Sequence, residues 1–488
     1  MVKKMKNSDE RLKAALKKYF GFSEFRSGQK EIIDNLLAHK STLAILPTGT
    51  GKSLCYQLVG KISRKPVVII SPLISLMQDQ VEQLRFAGEK KVVALTSALP
   101  FTHKQYVVNH LAQFDFIYLA PEMLNKEELV AALLKLDLAL LVVDEAHCIS
   151  KWGPDFRPDY LALGALRKYL HFPVTLALTA TATKKVADDI RKSLFETEKI
   201  SVIRHSVDRP NIFLAVEKVT SQNAKNLKLI QLVKRLKTPG LIYFSSKKKA
   251  DEIADLLRQK TRLNVSSYHA GLSGIDRYAI QQQFMRGKLD IVCATSAFGM
   301  GVNKKDIRYV IHYHLPADLE SYLQEIGRAG RDGGQSIAVL LYQKSDADLQ
   351  RSLIEKTLPE NEMIQYYMDN AQRLTGRVGE QGELLDYYRK QGLSSEKIKQ
   401  LFSERRRDRK SNLSEILAYI NTVGCRRDYI KKYFGEKSKS QHNALCCQLI
   451  GDQIPFEQLA LTNSEVLTGS KVSQNGGYNR IIKKLFNL

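Results

Sequence analysis

Residues 140–160 read LLVVDEAHCISKWGPDFRPDY, and this stretch decides the fold that the sequence predicts. An unbroken apolar run from Leu138 to Val143 is typical of a strand buried on both faces of a parallel sheet. Asp144 and Glu145 follow at the carboxyl end of that strand, where open α/β sheets bind ligands. Asp144 is suited to holding Mg²⁺ through water, and Glu145 to polarising a water that attacks a γ-phosphate. The stretch therefore predicts a nucleoside triphosphate site.

Aromatic and cationic side chains follow these acids within a few residues. They are Lys151, Trp152, Phe156, Arg157 and Tyr160, and glycine and proline interrupt them, which predicts an exposed loop. Such groups stack on unpaired bases and bind phosphates. Taken separately, the acids could simply end a core strand and the tryptophan could fill a packing gap. Together they indicate a nucleotide site connected directly to a nucleic-acid site.

The charge balance points to a polyanionic partner. Lys and Arg total 75 against 51 Asp and Glu, a net charge of +24 over 488 residues. Such an excess predicts strongly salt-dependent binding to nucleic acid, although a ribosome-associated or membrane-surface protein would carry the same charge. At the usual domain size the length predicts about three or four domains.

The chain has no apolar stretch of about 18 residues, and its start, MVKKMKNSDERLK, lacks the apolar core of a signal peptide. Six cysteines are scattered, a pattern typical of a reduced cytosolic protein rather than of a disulfide framework. We therefore expect a soluble cytoplasmic protein that is associated with the nucleoid and makes no membrane contact.

Short apolar runs alternate with amphipathic helices from Thr42 to Tyr342, and the rhythm breaks near residue 210. This alternation predicts βαβ units and hence an α/β fold with two parallel-sheet domains. Beyond residue 345 the strands stop, which predicts a mainly helical C-terminal module. Its charge run ERRRDRK, from Glu404 to Lys410, is interpreted as a solvated helix face.

Residues 46–53, LPTGTGKS, lie between a predicted strand and a predicted helix, the context of a phosphate-binding loop. Gly49 and Gly51 allow backbone N–H groups to approach phosphates, Lys52 reaches the β and γ oxygens, and Ser53 can ligate Mg²⁺. The position of the first glycine in the strict pattern is Leu46, so the motif is incomplete. The acidic strand end about ninety residues later supports the prediction.

The segment SYLQEIGRAGRDGG, from Ser321 to Gly334, contains Gln324, Arg328 and Arg331, which we place on consecutive helical turns. Arginines of a second domain that face a triphosphate can stabilise transition-state charge and sense closure of the cleft. A solvated basic helix is the alternative. It does not explain Gly327 and Gly330, which allow close approach.

Six motifs carry a resemblance that spans most of the chain. In order they are LPTGTGKS, SPLISLMQDQ, DEAHCISKWGPDFRPDY, ALTATAT, CATSAFGMGVNKKDIRYVIHYHLP and SYLQEIGRAGRDGG. Together they resemble the motifs of superfamily-two DNA helicases, specifically the RecQ family. The resemblance implies two RecA-like domains with ATP between them, single-stranded DNA across their top, and 3′-to-5′ translocation.

The resemblance also implies roles for individual residues. Phe22 and Arg26 would sandwich the adenine while Gln29 reads its edge. The phosphate-binding set would be Thr48, Gly49, Thr50, Gly51, Lys52 and Ser53, with Mg²⁺ held through water by Ser53 and Asp144. The hydrolytic centre would be Lys52, Asp144, Glu145 and Arg331, supported by Arg328 and Gln324.

For DNA, the resemblance implies that Trp152, Phe156 and Arg157 couple strand binding to hydrolysis. Thr179 and Thr181, which bound the segment 179–181, would relay between domains. The family usually has histidine where this chain has Pro154, a departure that stiffens the loop and puts its coupling in doubt.

The phrase ILAYINTVGCRRDYIKKYFGE resembles the family's zinc-binding module. Tetrahedral zinc needs four Cys or His ligands, and the candidates are Cys425, Cys446, Cys447 and, as a substitute, His442. Adjacent cysteines point apart in a regular helix or strand, so we expect weak or absent zinc. Apolar contacts would then replace the metal, with Leu445, Leu449 and Ile450 as the contributing residues.

Five segments follow from the resemblance and the composition. They are an N-terminal helix and adenine-reading segment, a helicase ATP-binding domain, a helicase C-terminal domain, a helical zinc-module-like region and a tail, at 1–30, 31–205, 206–345, 346–452 and 453–488.

We expect a monomeric ATP-dependent 3′-to-5′ helicase that acts on single-stranded, forked and junction DNA in recombination and repair. A DNA-stimulated translocase that remodels DNA or protein–DNA complexes without processive unwinding would share every ATP motif. An RNA helicase would share most of them. A non-catalytic clamp need not keep Lys52, Glu145 and Arg331.

Overall fold

The protein is described by a computed structural model that covers residues 2–72, 74–97, 99–150, 158–299, 304–374, 379–437 and 442–463. The predicted coupling residues Trp152, Phe156 and Arg157, and Pro154 with them, lie outside the described residues. Among the described helices, none combines the length and the apolar character needed to cross a membrane.

Seven parallel strands form the first sheet. Their bounds are β1 Thr42–Ile45, β2 Val67–Ile70, β3 Val92–Leu95, β4 Phe116–Leu119, β5 Leu140–Val143, β6 Thr175–Thr179 and β7 Ser201–Arg204. Their spatial order is β3-β4-β2-β5-β6-β1-β7. All four residues of β5 are buried, which confirms that the apolar run before the acids is a central strand.

Helices flank this sheet and cover its faces. Their bounds are α1 Val2–Phe20, α2 Gln29–Leu37, α3 Lys52–Ser63, α4 Ile74–Phe86, α5 Phe101–Asn109, α6 Glu127–Leu134, α7 Leu163–Tyr169 and α8 Lys184–Ile190. Leu12 and Leu16 of α1 are buried in the core, whereas Tyr19 is 37% exposed.

Six parallel strands form the second sheet, in the order β10-β11-β9-β12-β13-β8. Their bounds are β8 Ile212–Lys218, β9 Gly240–Tyr243, β10 Val265–Tyr268, β11 Ile291–Ala294, β12 Tyr309–His312 and β13 Ser336–Tyr342. The helices between them are α9 Gln222–Arg235, α10 Lys247–Lys260, α11 Gly274–Met285 and α12 Leu319–Ile326. The rhythm break near residue 210 is the linker between β7, which pairs with β1, and β8, which pairs with β13.

The helical module follows as predicted. Its helices are α13 Lys344–Thr357, α14 Asn361–Leu374, α15 Glu380–Lys390, α16 Ser395–Asn421 and α17 Arg426–Tyr433. With the two parallel sheets, it confirms the predicted fold class. The charge run in α16 is not simply solvated: the Arg405 guanidinium lies 5.2 Å from the Phe402 ring centre, and Arg406 and Lys410 both pair with Glu355.

The first described residues of the predicted tail pack against the second sheet's helices. Ile454, Phe456, Leu459 and Leu461 are buried in the same apolar cluster as α9 and α10. The Lys237 N–H donates to Leu461 O at 2.8 Å. Residues 454–461 therefore belong to the second sheet domain, although no periodic pattern in the sequence predicts this packing.

Candidate active site

The phosphate loop lies at the carboxyl end of β1 and leads into α3, as its sequence context predicts. Gly49 and Gly51 have φ of 85° and 75°, a left-handed region in which residues with a Cβ are strained. Leu46, at the position of the missing first glycine, is completely buried in the core. The departure from the strict motif thus exchanges a loop glycine for a core leucine and leaves the phosphate-facing half intact.

The adenine-reading segment contacts this loop directly. Arg26 Nη1 donates to Gly49 O at 2.6 Å, and Gln29 Nε2 donates to Thr50 O and Gly51 O at 2.8 and 3.0 Å. The Gln29 carboxamide oxygen accepts from the Arg26 N–H at 2.9 Å. Phe22 is 53% exposed. Gln29 therefore bonds the phosphate loop in this structure, and its reading of an adenine edge stays a prediction that requires these bonds to be exchanged.

The two acids end β5 with different environments. Burial raises the pKa of the Asp144 carboxyl to about 7, the Glu145 carboxylate adds to the shift, and the Lys52 ammonium opposes it. Glu145 itself adopts φ of 48°, in the left-handed region, which turns its side chain away from the strand direction. A cation between these acids and the loop would favour the ionised form of Asp144, so the residues present fit Mg²⁺.

A histidine that the sequence analysis did not single out joins the acids to the predicted relay. His147 Nδ1 lies 3.3 Å from Glu145 Oε2 and 3.0 Å from Thr179 Oγ1. The Thr179 hydroxyl donates to Thr181 O at 2.9 Å, which assigns the proton of the His147 contact to Nδ1. The signal in the sequence that could have identified His147 was its position two residues after Glu145.

The arginines of the second domain follow α12 rather than lying on it. The helix ends at Ile326, so the prediction of consecutive helical turns is wrong beyond Gln324, which is on the helix. Arg328 is buried and donates to Gly299 O. This burial excludes a solvated basic helix.

Arg331 faces the phosphate loop across the cleft. A Cβ built on Gly49 would lie 3.3 Å from Arg331 Cγ, so a side chain at that glycine would press on the arginine. Burial lowers the pKa of the Arg331 guanidinium to about 9, with further lowering from Arg328 and Arg209. The Glu145 carboxylate opposes this shift, which places Arg331 within electrostatic reach of the acids.

Two further contacts join the walls of the cleft. Thr48 Oγ1 donates to Gly327 O at 3.0 Å, and a Cβ on Gly327 would overlap that hydroxyl. Arg209, in the linker, donates to Thr48 O at 3.1 Å on one wall and to Gly330 O at 2.7 Å on the other. Sequence reasoning missed Arg209, because one arginine in the segment where the strand rhythm breaks carries no motif signal.

Four potential metal ligands converge at the start of α17: Cys425, His442, Cys446 and Cys447 have donor atoms within 4.8 Å of one another. Cys425 Sγ lies 3.5 and 3.6 Å from the thiols of Cys446 and Cys447, and Cys447 Sγ lies 3.6 Å from His442 Nδ1. Tetrahedral zinc with bonds of about 2.3 Å places its ligands roughly 3.8 Å apart. The cluster therefore fits zinc.

This geometry removes the argument from side-chain direction, and the expectation of weak or absent zinc stays a prediction. Adjacent Cys446 and Cys447 lie in a non-helical turn that ends in a single bridge residue, so the alternation of regular structure does not apply. The predicted apolar replacement is wrong for Leu445 and Ile450, which are 41% and 55% exposed, whereas Leu449 does pack against the core. A hydrogen bond from Cys447 lowers the pKa of the Cys446 thiol to about 5, and Arg427 adds to the shift while burial opposes it.

The fold and the cleft define a two-domain helicase-type nucleoside triphosphatase, and three family matches cover its parts in order. Residues 26–190 match the DEAD/DEAH box helicase family, residues 224–333 the helicase conserved C-terminal domain, and residues 386–449 the RecQ zinc-binding family.

The chain is 49% identical to the probable ATP-dependent DNA helicase RecS of Bacillus subtilis, over 71% of this chain and 69% of that one. It is 39% identical to the RecQ helicase of the same organism and 42% identical to that of Pasteurella multocida. These matches cover 73% and 69% of this chain but only 60% and 53% of those two relatives. The chain belongs to the RecQ family of ATP-dependent DNA helicases.

Solved structures agree on the fold. Mycobacterium smegmatis helicase Lhr, bound to single-stranded DNA and AMP-PNP, aligns with a TM-score of 0.57 at 20% identity over 71% of this chain and 50% of that one. S. cerevisiae Dbp5, bound to RNA and ADP BeF3, aligns at 0.55 and 17% over 71% and 90%.

Proposed function

We propose that this chain hydrolyses ATP to translocate 3′-to-5′ on single-stranded DNA and to unwind duplex, forked and junction DNA in recombination and repair. One observation carries the proposal: the phosphate loop and the arginine turn meet across a single cleft, joined by the Thr48 hydroxyl bond to Gly327 O at 3.0 Å. Membership of the RecQ family supports DNA as the substrate.

Within this cleft each residue has a proposed task. Lys52 neutralises the β and γ oxygens, and Glu145 takes up a proton as water attacks the γ-phosphate. Arg331, supported by Arg328 and Gln324, stabilises the charge that develops. Ser53 and Asp144 would hold Mg²⁺ through water, and that ion supplies charge neutralisation when bound. Phe22, Arg26 and Gln29 would contact the adenine.

A series of close polar contacts supports coupling between ATP and DNA. It runs from Glu145 through His147 to Thr179 and Thr181, at the carboxyl ends of β5 and β6. Ser150 is the last described residue before the aromatic stretch. Its hydroxyl donates a hydrogen bond to Asp189 Oδ2 of α8 at 2.7 Å. We propose that Trp152, Phe156 and Arg157 stack on and bind the DNA strand, so that strand binding adjusts the acids through these contacts.

We propose further that Cys425, His442, Cys446 and Cys447 hold a structural zinc ion, which would fix the turn against α17. The reason is geometric, since all four donor atoms already lie within 4.8 Å of one another.

The proposed division at residues 205 and 206 falls in the linker between β7 and β8, which supports the domain boundaries. A monomer in the cytoplasm, associated with the nucleoid through its charge of +24, completes the proposal.

The deciding experiment measures ATP hydrolysis with and without single-stranded DNA, followed by strand separation on duplexes with a 3′ or a 5′ tail. We expect DNA to stimulate hydrolysis at least ~10-fold and only the 3′-tailed and forked substrates to open. Stimulated hydrolysis without strand separation would identify a translocase instead. Equal stimulation by RNA would indicate an RNA helicase.

A further inference from the structure

The linker between the two sheet domains contacts every part of the molecule that meets at the cleft. His205 Nδ1 lies 3.0 Å from Ser27 Oγ in the adenine-reading segment. The Val207 N–H donates to Glu436 Oε1 of the helical module at 2.7 Å. Arg209, two residues later, is directed into the cleft itself. The five residues 205–209 thus touch the nucleotide segment, the helical module and both cleft walls.

Arg209 is bonded to both walls by one guanidinium group. Nη1 donates to Thr48 O at 3.1 Å in the phosphate loop and to Gly327 O at 3.2 Å in the second domain. Nη2 donates to Ala329 O and Gly330 O at 3.0 and 2.7 Å, within the turn that carries Arg331. A planar guanidinium fixes its donors in one fork, so all four carbonyls can be reached together at only one separation of the walls.

Arg209 is partly buried, so its carbonyl partners replace much of the water that would otherwise solvate its guanidinium. Burial lowers the pKa of its guanidinium, and Asp332 opposes the shift. A buried cation is costly unless it is hydrogen-bonded, and three of its four carbonyl partners belong to the arginine turn. Opening the cleft would therefore break the Thr48 bond first, while Arg209 stays with the turn.

The opposite side of the linker is held by the helical module. Ser206 Oγ donates to Glu436 Oε2 at 2.5 Å, and Arg427 pairs with Asp208 and donates to Arg209 O at 3.0 Å. The backbone at residue 209 is thus fixed from outside while its side chain spans the cleft inside. Because the backbone is held in place, the guanidinium can bond both walls of the cleft only over a narrow range of distances between them.

We propose that Arg209 is a positioning residue that sets Arg331 against the phosphate loop only when the cleft is closed. Arg209 does not touch the reacting atoms. It holds the turn 327–331 at the distance from the phosphate loop at which Arg331 reaches the γ-phosphate. The inference rests on the proposed ATPase function and adds a residue that links cleft closure to the transition state.

The test compares Arg209→Ala with wild type in steady-state ATP hydrolysis at saturating single-stranded DNA, together with thermal unfolding. We expect kcat to fall ~10- to 100-fold while KM for ATP changes less than ~3-fold, because transition-state contacts are lost and ground-state contacts remain. The melting temperature should stay close to that of wild type. Arg258→Ala is the matched control, since Arg258 bonds Val265 O within its own domain and away from the cleft.

Two further variants separate positioning from simple charge or packing. Arg209→Lys keeps the charge but cannot bond both walls, so it should stay well below wild-type kcat. In an Arg331→Ala background, Arg209→Ala should cost less than ~2-fold more, because the residue it positions is already gone.

Wild-type kcat in Arg209→Ala, full recovery in Arg209→Lys, or independent losses in the double variant would each overturn the proposal. If Arg209→Ala fails to fold, Arg209→Lys decides alone: reduced kcat at an unchanged melting temperature supports positioning, and wild-type kcat refutes it. Failure of the proposed function looks different, since wild type itself would then show no DNA-stimulated hydrolysis.

Discussion

The nucleotide cleft and the Cys/His cluster are both sites assembled from separated residues, but they are assembled over very different distances along the chain. The cleft joins Thr48 to Gly327 by a hydrogen bond that spans 279 positions. The cluster gathers its four donors between Cys425 and Cys447. The cleft depends on how two sheets face each other, whereas the cluster depends on one turn packed against α17.

This difference explains which side-chain positions the sequence could locate. Cleft residues lie at the carboxyl ends of strands or in a glycine loop, and those positions follow from the fold class alone. Cluster residues lie in an irregular turn, where the direction of each side chain depends on individual backbone angles. A remote site with regular supports was therefore easier to predict than a local site without them.

The largest expected effect breaks the cleft. Lys52→Ala should reduce ATP hydrolysis and unwinding together by at least ~100-fold, because the cation proposed to neutralise the phosphates is lost. Glu145→Gln should keep ATP affinity within ~3-fold while hydrolysis falls by ~100-fold or more, since only the proton acceptor is removed. Single-turnover hydrolysis and equilibrium binding of a fluorescent ATP analogue measure the two effects. Normal turnover in Lys52→Ala would contradict the loop assignment.

An intermediate effect tests the cluster. Elemental analysis of protein purified without chelator should find one zinc per chain, and Cys447→Ala or His442→Ala should lower that content. Loss of the metal should lower the melting temperature by about 2–4 °C for each kcal/mol of stability removed. ATP hydrolysis should fall less than in Lys52→Ala.

Leu445→Ala is the control for the cluster, because Leu445 precedes the thiols but is 41% exposed. It should leave both zinc content and melting temperature unchanged. The purified protein could instead contain no zinc and keep the same melting temperature after treatment with a chelator. That result would support the original prediction that apolar contacts stabilise this turn without a metal.

The smallest effect concerns a second contact between the sheet domains. Gln281 Nε2 of α11 donates to Asp79 Oδ2 of α4 at 3.0 Å, and burial raises the pKa of Asp79 to about 6, with Glu82 adding and Gln281 opposing. The folded carboxyl therefore binds a proton more readily than the unfolded one. The ionised carboxylate destabilises the fold fully above pH 6, and that cost shrinks as the pH falls from about 6 to the ordinary value of 3.8, below which it is absent.

Asp79→Asn should accordingly raise the melting temperature at pH 8, raise it less at pH 5, and match wild type only below about pH 4. After solvent screening of this partly buried group, the gain at pH 8 should be about 1 kcal/mol. Thermal unfolding from about pH 3.5 to 8 measures it, with Glu128→Gln in α6, an exposed carboxylate of the same domain, as the control. A difference that does not change with pH would assign the effect to packing instead of charge.

The sequence by itself determined the two sheets, the order of their strands along the chain and the phosphate loop. It did so because buried parallel strands are continuous apolar runs, and because phosphate contacts need glycine at positions such as Gly49 and Gly51. It also selected Arg331, through spacing and glycine content. These features are local, so neighbouring residues suffice to specify them.

Only the tertiary structure decided which residues bond between separate elements and across the cleft. It joined Arg209 to Thr48 and Gly330, placed His147 between Glu145 and Thr179, and turned Cys446 and Cys447 toward His442. Each of these contacts depends on the distance between elements or on the backbone of an irregular turn. Hydropathy periodicity shows which face of an element is buried. It does not show the distance between elements or the backbone conformation of an irregular turn.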